Sequence, residues 1–365
     1  MMKLIGFLKK LNRERNYKTK EFKRKVKLYT MARLIDDKYM QSINFHSVNR
    51  VLFPFVDLGI GDAVCHTGLW HQLKSAGYIV QVIVEERNRP LFERIEYIDE
   101  VYVVDLNKIN DMGRIETDLI VSLYSWMKRK EVFNVAILKN IKYKYAISVG
   151  GWIRKPYNLI IPVRQKFHIT SAQREILDFM GAGVEELSYR LSVPLENELF
   201  LSSYLDDFKD KNLVVINPFA SVDERSFNLE ELSVLVEKVA SQRGVHVFII
   251  GEGRKIEPLN KHIKKDNVSI CIFNSLWDAI ALIKKADLVV SVDTAIVHIA
   301  CAFDKKLIAV YFSMLLDHNK EYEGNTIFSP LSRNAKQLIF DKKVHKLDLD
   351  LVCSETINAL ACDGD

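Results

Sequence analysis

At 365 residues, 48% apolar and 27% charged, the chain is long enough for two domains with complete hydrophobic cores and has the composition of a soluble globular protein. No apolar run reaches the length of a membrane span, and Met1–Leu8 is too short and interrupted for a signal-peptide core. The net charge is +5, but residues 1–33 carry twelve Lys or Arg against Glu14 and Glu21, a net +10 that leaves the remainder at −5.

Five cysteines, Cys65, Cys271, Cys301, Cys353 and Cys362, fall in no CxxC or Cys/His ligand spacing. Reduced thiols in a cytosolic protein are therefore expected, with no zinc site and no structural disulfide. The basic stretch 1–33 is interspersed with Leu4, Phe7, Leu8, Leu11, Phe22, Val26 and Tyr29. It reads either as a helical arm lying on an anionic membrane surface or as a solvated, partly disordered tail. A nucleic-acid partner is not expected, because no reader motif follows and the body is acidic.

After this extension (1–49), Arg50–Phe55 reads as a buried strand, followed by the turn Gly59-Ile60-Gly61-Asp62 and a helix to about Ser75. Further short strands are predicted at Tyr78–Val84, Val101–Asp105, Leu119–Leu123 and Tyr145–Val149. Pro194–Lys211 reads as a linker with a short helix. A second series begins near Asn212, with strands at Leu213–Asn217, Val245–Ile250, Val268–Phe273, Leu288–Val292 and Leu307–Phe312. Helices are predicted between them at Leu229–Gln242, Leu276–Lys285 and Ala295–Phe303. Ser275-Leu276-Trp277-Asp278 has the form of a capping box. Strands alternating with helices imply an α/β fold of two doubly wound, Rossmann-like domains, at 50–195 and 212–365, facing a cleft. No internal repeat of solenoid period is present.

Three segments at the predicted carboxyl ends of strands carry chemistry. In Asp57–Thr67, Gly59 and Gly61 permit a tight turn, and Asp62 is either a helix cap or a general base facing the cleft. The spacing is not that of a dinucleotide fold, because Val64 stands where the third glycine would fall. In Asn217–Phe227, Ser221 and Ser226 flank Arg225, which either pairs with neighbouring Asp223 or Glu224 on the surface or contacts phosphate oxygens bidentately. In Ala286–His298, a five-residue apolar strand ends at Asp293 and passes into a helix at Thr294 or Ala295. Such a junction aims helix N-terminal N–H groups at an anion such as a diphosphate. His298 shares a helix face with Thr294 and is either a ligand-side residue or part of the core.

Together, Gly61-Asp62 with Thr67, Arg225-Ser226-Phe227, and Asp293-Thr294-Ala295 with His298 and Ala300 resemble the bacterial lipopolysaccharide heptosyltransferases, glycosyltransferase family 9 of the ADP-heptose type. The resemblance runs from about Val51 to about Pro330. His168, with Arg174-Glu175-Ile176-Leu177-Asp178-Phe179-Met180-Gly181, resembles the segment that closes the family's first domain. It implies a GT-B architecture, with an acceptor-side first domain and a nucleotide-sugar-binding second domain. It also implies heptose transfer from ADP-heptose to a lipopolysaccharide or lipooligosaccharide core acceptor, with anomeric inversion, no required metal and no cofactor. Asp62 matches the family's proposed catalytic base, Arg225 its diphosphate contact, and Thr294 and Ala295 its phosphate-binding turn. Ser221, Asp293 and His298 fall in the donor-site loops, while Glu252, Asn274 and Ser275 match the nucleoside region loosely.

The implied location is cytoplasmic, peripheral on the inner face of the cytoplasmic membrane through residues 1–33. Three positions depart from the family pattern: Thr67-Gly68 stands for Thr-Pro, Ala295 for Gly, and Phe227-Asn228 for Trp-Pro. Other readings are a transferase or epimerase using another nucleotide sugar, and a non-catalytic sugar-nucleotide-binding protein of the same fold.

Overall fold

Buried apolar runs build two six-stranded parallel sheets. The computed structural model describes residues 2–361 except 36–40, 106–107, 109–111, 164–165, 314, 317–321 and 342–346; the side chains of residues 2–11, 13–14 and 315–316 are also outside the description, as is Cys362.

The first half holds helix α1 (Met2–Arg33), then strands β1 (Arg50–Phe55), β2 (Ile79–Val84), β3 (Glu100–Val103), β4 (Leu119–Ser122), β5 (Tyr145–Val149) and β6 (Leu159–Ile161). Helices α2 (Ile60–Val64), α3 (Thr67–Ser75), α4 (Arg89–Phe92), α5 (Lys128–Asn140) and α6 (Thr170–Phe179) connect or follow them. Helix α7 (Leu195–Tyr204) leads into the second half, whose strands are β7 (Asn212–Asn217), β8 (Val245–Ile250), β9 (Val268–Cys271), β10 (Leu288–Val292) and β11 (Lys306–Phe312). Helices α8 (Leu229–Ala240), α9 (Gly253–Ile256), α10 (Leu276–Lys285) and α11 (Ala295–Ala302) lie between them. A small hairpin of β12 (Leu315–Leu316) and β13 (Tyr322–Glu323), helix α12 (Gly324–Ile327), strand β14 (Ala335–Phe340) and helix α13 (Leu349–Ala361) complete it.

The strand order is β3-β2-β1-β4-β5-β6 in one sheet and β9-β8-β7-β10-β11-β14 in the other. Both are the same doubly wound pattern, in which the chain turns back beside the first strand of each half. Ligands bind such sheets beyond the strand carboxyl ends at that switch point, here between β1 and β4 and between β7 and β10. A continuous apolar cluster joins the halves, running from Val64 and Leu69 to Val297 and Ile299. Polar ties reinforce it, with Trp277 Nε1 donating to the Pro90 carbonyl at 3.1 Å and the Ile169 N–H to the Ile327 carbonyl at 3.0 Å.

Several elements fall where the apolar pattern places them, including β1, β5, β8, β10 and α10. The helix expected to run unbroken to Ser75 is instead two, interrupted at Cys65 and His66. The expected capping box at Ser275 is also half absent. Ser275 Oγ accepts from the Trp277 N–H, but Asp278 turns away to accept from Asn197 Nδ2 at 2.7 Å, tying α10 to α7. Strands β6 and β14 and helices α6 and α13 were not in the sequence reading.

The basic segment is a helix, and its second half is docked. Leu28, Ala32 and Ile35 are buried in the cluster that contains Val132 and Val135 of α5. Burying Leu28 and Ile35 contributes about 1.5–3 kcal/mol each. Lys128 pairs with Glu21 at 3.2 Å, and the Lys25 ammonium sits 4.7 Å from the centre of the Trp152 ring. The opposite side leaves Phe22, Val26 and Tyr29 exposed.

Gly68 explains one departure from the family pattern. A Cβ there would lie 2.1 Å from the Ser188 carbonyl oxygen, so the returning 187–190 segment packs directly on the α3 backbone. Thr67 fastens the same crossing, since its hydroxyl donates to the Val64 carbonyl and accepts from the Arg190 N–H at 2.9 Å. At the second departure, Asn228 caps α8 and forms a reciprocal box with Glu231.

Candidate active site

The turn after β1 is pinned from three sides. Asp57 takes a left-handed backbone (φ 57°), which Asp tolerates better than most residues. Its N–H donates to Glu85 Oε2 at 2.6 Å, and its carboxylate meets Arg129 at 3.0 Å and Lys130 at 2.8 Å. Three consecutive cations at the start of α5 oppose the helix dipole, and the Asp57 and Glu21 carboxylates offset that cost. The Leu58 carbonyl is held by Asn88 at 3.1 Å. With the turn fixed, Gly59 becomes the cap of α2.

Asp62 is therefore not the cap itself. It stands three residues in, and its Oδ2 accepts from the Gly59 N–H at 2.8 Å. Burial lifts its carboxyl above the ordinary range. The Gly59 N–H, Lys130 and the Tyr124 hydroxyl pull it back, while Asp57 pushes it further up.

In the second half, Asn217 at the end of β7 donates to Ser291 Oγ at 3.0 Å and to Thr294 Oγ1 at 2.9 Å. This locks the last turn of β10 to its neighbour. Thr294 then caps α11, its hydroxyl accepting from the Ile296 N–H. Arg225 does not pair with Asp223 or Glu224. Its Nη1 donates to Asp293 Oδ2 at 3.0 Å and its Nη2 to Ser221 Oγ at 3.0 Å. The loop that carries it is braced by Ser226 Oγ, which accepts from the Ala220 N–H, and by Lys255, which donates to the Ala220 carbonyl at 2.7 Å. Burial raises the Asp293 carboxyl, Arg225 opposes that rise, and the Asp62 charge adds to it.

The two carboxylates thus sense each other across the cleft. The contact that brings them together is Gly61 against the first turn of α11, where a Cβ would lie 3.2 Å from Ala295 Cα and 3.4 Å from His298 Cδ2. Asp62, Asp293, Thr294 and Ala295 consequently share one location, with Arg225 and Ser221 beside it. His298 lies beneath, 4% exposed, between Tyr189 and Phe328, with no partner on its Nδ1. Burial pushes its imidazole down to about 3, so it is neutral. His168 bridges the halves, its Nδ1 on Thr170 Oγ1 and its Nε2 on the Ser329 carbonyl.

Glu252 and Asn274 are exposed at the carboxyl ends of β8 and β9, one and two strands out from β7. Glu252 pairs with Arg254, and Ser275 serves as the α10 cap. Sequence reasoning missed Tyr124, Arg129 and Lys130. Their signal was position, since they follow the predicted strand Leu119–Leu123, whose carboxyl end faces the same cleft as that of β1.

The arrangement offers a carboxylate on one wall, and a cation with a helix N-terminus on the other. That set suits proton removal beside a leaving anion. The family glycosyltransferase family 9 (heptosyltransferase) matches residues 153–354, more than half of the chain. The Escherichia coli (strain K12) protein named "Putative lipopolysaccharide heptosyltransferase 4" is 23% identical over 314 residues, 83% of this chain and 85% of that one. Two E. coli structures share the fold. ADP-heptose lps heptosyltransferase II superposes with a TM-score of 0.67 at 15% identity, over 87% of this chain and 100% of that one. Heptosyltransferase WaaC with ADP gives 0.63 at 15% identity, over 85% and 99%. The architecture is accordingly GT-B, and the chain belongs to glycosyltransferase family 9, the heptosyltransferases.

Proposed function

We propose that this glycosyltransferase moves heptose from ADP-heptose to a lipopolysaccharide or lipooligosaccharide core acceptor, with inversion and without a required metal. Residues 50–195 form the acceptor side and 212–365 the donor side. The observation that carries the reading is the meeting of Asp62 with Asp293, Thr294 and Ala295 across the Gly61 contact. Asp62 takes the proton of the acceptor hydroxyl as its oxygen bonds the anomeric carbon. The bond from that carbon to the diphosphate oxygen breaks on the opposite face, and ADP leaves. Asp293 is already engaged by Arg225, so Asp62 is the proton acceptor, and a single displacement inverts the centre.

Arg225 and the α11 N-terminus offset the charge that gathers on the diphosphate, the part a metal plays elsewhere. The ADP assignment draws on WaaC, whose structures hold ADP and ADP-2-deoxy-2-fluoro heptose. A thermal-shift comparison of ADP, UDP, GDP and CMP tests it. Stabilisation by ADP of about 2.7 kcal/mol at a hundredfold excess over Kd is expected. A preference for another nucleotide would keep the transferase and overturn the heptose donor.

Among the described residues no helix is long and apolar enough to cross a membrane. The reading places the protein in the cytoplasm, peripheral on the anionic inner leaflet, through the side of α1 that presents Phe22, Val26 and Tyr29 among Arg15, Lys18, Lys23 and Arg33. Sedimentation with phosphatidylglycerol vesicles should be strong at low salt and weak at high salt. It should also be lost on replacing Phe22, Val26 and Tyr29 by Ser together with Arg15, Lys18 and Lys23 by Gln, which spares the docked Leu28 and Ala32. Retained binding in that variant would refute the assignment.

A further inference from the structure

Helix α1 crosses the first half from one edge of its sheet to the other. Near residue 21 it lies beside the start of α5, where Glu21 pairs with Lys128 at 3.2 Å. Lys25 sits over the Trp152 ring, just past the carboxyl end of β5. Farther along, Leu28, Ala32 and Ile35 are buried, and the Gln41 carbonyl accepts from Asn158 Nδ2 at 2.9 Å just before β6 begins. The chain therefore runs from the carboxyl edge, which borders the cleft, to the amino edge. Residues 2–20 are the same helix continued the other way, past the carboxyl edge and alongside the mouth of the cleft. At about 1.5 Å per residue, that projecting half is about 28 Å long.

One stripe follows the exposed side of this helix. Arg15, Lys18, Phe22, Val26, Tyr29 and Arg33 are exposed and recur every three or four residues. They share one line of the helix, turned away from the docked Leu28, Ala32 and Ile35. In the sequence, Leu4, Leu8 and Leu11 continue that spacing toward the N-terminus. Residues 1–33 hold twelve Lys or Arg against two Glu, a net +10. A long, straight line of apolar residues bordered by cations fits the plane of an anionic bilayer.

We propose that α1 is a rail that holds the mouth of the cleft against such a bilayer, so that the acceptor reacts while still anchored there. The substrate class is then an anionic glycolipid in its membrane, not a free oligosaccharide. This rests on the reading of α1 as the membrane contact and gives that contact a part in the reaction. Glu21, Lys25, Leu28 and Ala32 fix the docked half, so the rail has one orientation relative to α5 and the cleft. A plane laid on the stripe runs parallel to the helix and continues past the carboxyl edge. Lipid-borne sugar thus meets the cleft at its rim. Holding enzyme and acceptor on one surface raises the effective concentration of each for the other.

The phase of the helix tests this. Thr19 and Lys20 are exposed and lie between the projecting and docked halves. Inserting two alanines between them keeps every charge and the helix, but turns the projecting half by about 160° relative to the docked one. Four alanines turn it by only about 40°. The acceptors are a lipooligosaccharide core in phosphatidylglycerol vesicles and the same core with its acyl chains removed. At low salt the wild-type protein should favour the vesicle form by about tenfold or more in kcat/KM. The four-alanine variant should keep that preference and the two-alanine variant should lose it, while both use the deacylated core normally. Equal behaviour of the two variants, or no preference in the wild-type protein, overturns the rail. Sedimentation of the wild-type protein with the vesicles judges the membrane contact separately. Binding without preference ends the rail alone, and no binding ends both readings.

Discussion

Asp62→Asn is expected to lower kcat by about 10²–10⁴ while leaving the fold intact, the range that a positioned general base contributes. Asn is nearly isosteric, and its side-chain oxygen can still accept from the Gly59 N–H, so the box that starts α2 survives. What disappears is the negative charge and the capacity to take a proton. Removing a half-buried carboxylate also relieves the like-charge pressure on Asp293, so the melting temperature should hold or rise. A lower kcat in a protein of unchanged stability would therefore be a chemical effect. Near-normal turnover in steady-state assays with ADP-heptose and a core acceptor would end the proposed mechanism.

Arg225→Ala carries two separable consequences. One is catalytic. The guanidinium is held by Asp293 and Ser221 before any ligand arrives, and losing a preorganised cation of this kind costs about 10²–10³ in kcat. The other is structural, because Asp293 would be left in a poorly solvated place without its counter-charge. The double variant Arg225→Ala with Asp293→Asn distinguishes them. It should recover the lost thermal stability and recover none of the rate. Arg225→Lys should be intermediate, since an ammonium keeps the charge but cannot span both partners in one plane. Full activity in Arg225→Ala would remove the donor-side half of the scheme.

How far the sequence showed this follows from what each signal encodes. Short β-branched runs such as Val245–Ile250 and Leu288–Val292 read as buried strands, and their bounds match to the residue. β14 was not, because its residues alternate between buried and exposed at a sheet edge, and Lys336 and Gln337 dilute the pattern. Asp62, Arg225 and Asp293 announced themselves by lying just past strand ends. Tyr124 stood in the same kind of place, but aromatic residues there look like core. Its hydroxyl meets His66, which in turn meets Gln173, residues 58 before it and 49 after. The break at Cys65-His66 was illegible too, since local spacing does not reveal that His66 meets Tyr124 and Gln173, both distant in sequence. From sequence, Arg225 was open between Asp223 or Glu224 and phosphate oxygens; its pairing with Asp293 emerges only once the parallel pairing of β7 with β10 brings their ends together.

The contact at Gly61 gives this enzyme an unusual dependence. Asp62 stands on one half and the α11 N-terminus on the other, so in the proposed reaction the spacing between proton acceptor and leaving group is set by how closely the two halves seat at Gly61. That seating is limited by the absence of one methyl group. Adding it would wedge the halves apart by a few tenths of an ångström, while every hydrogen bond within each wall stayed as it was.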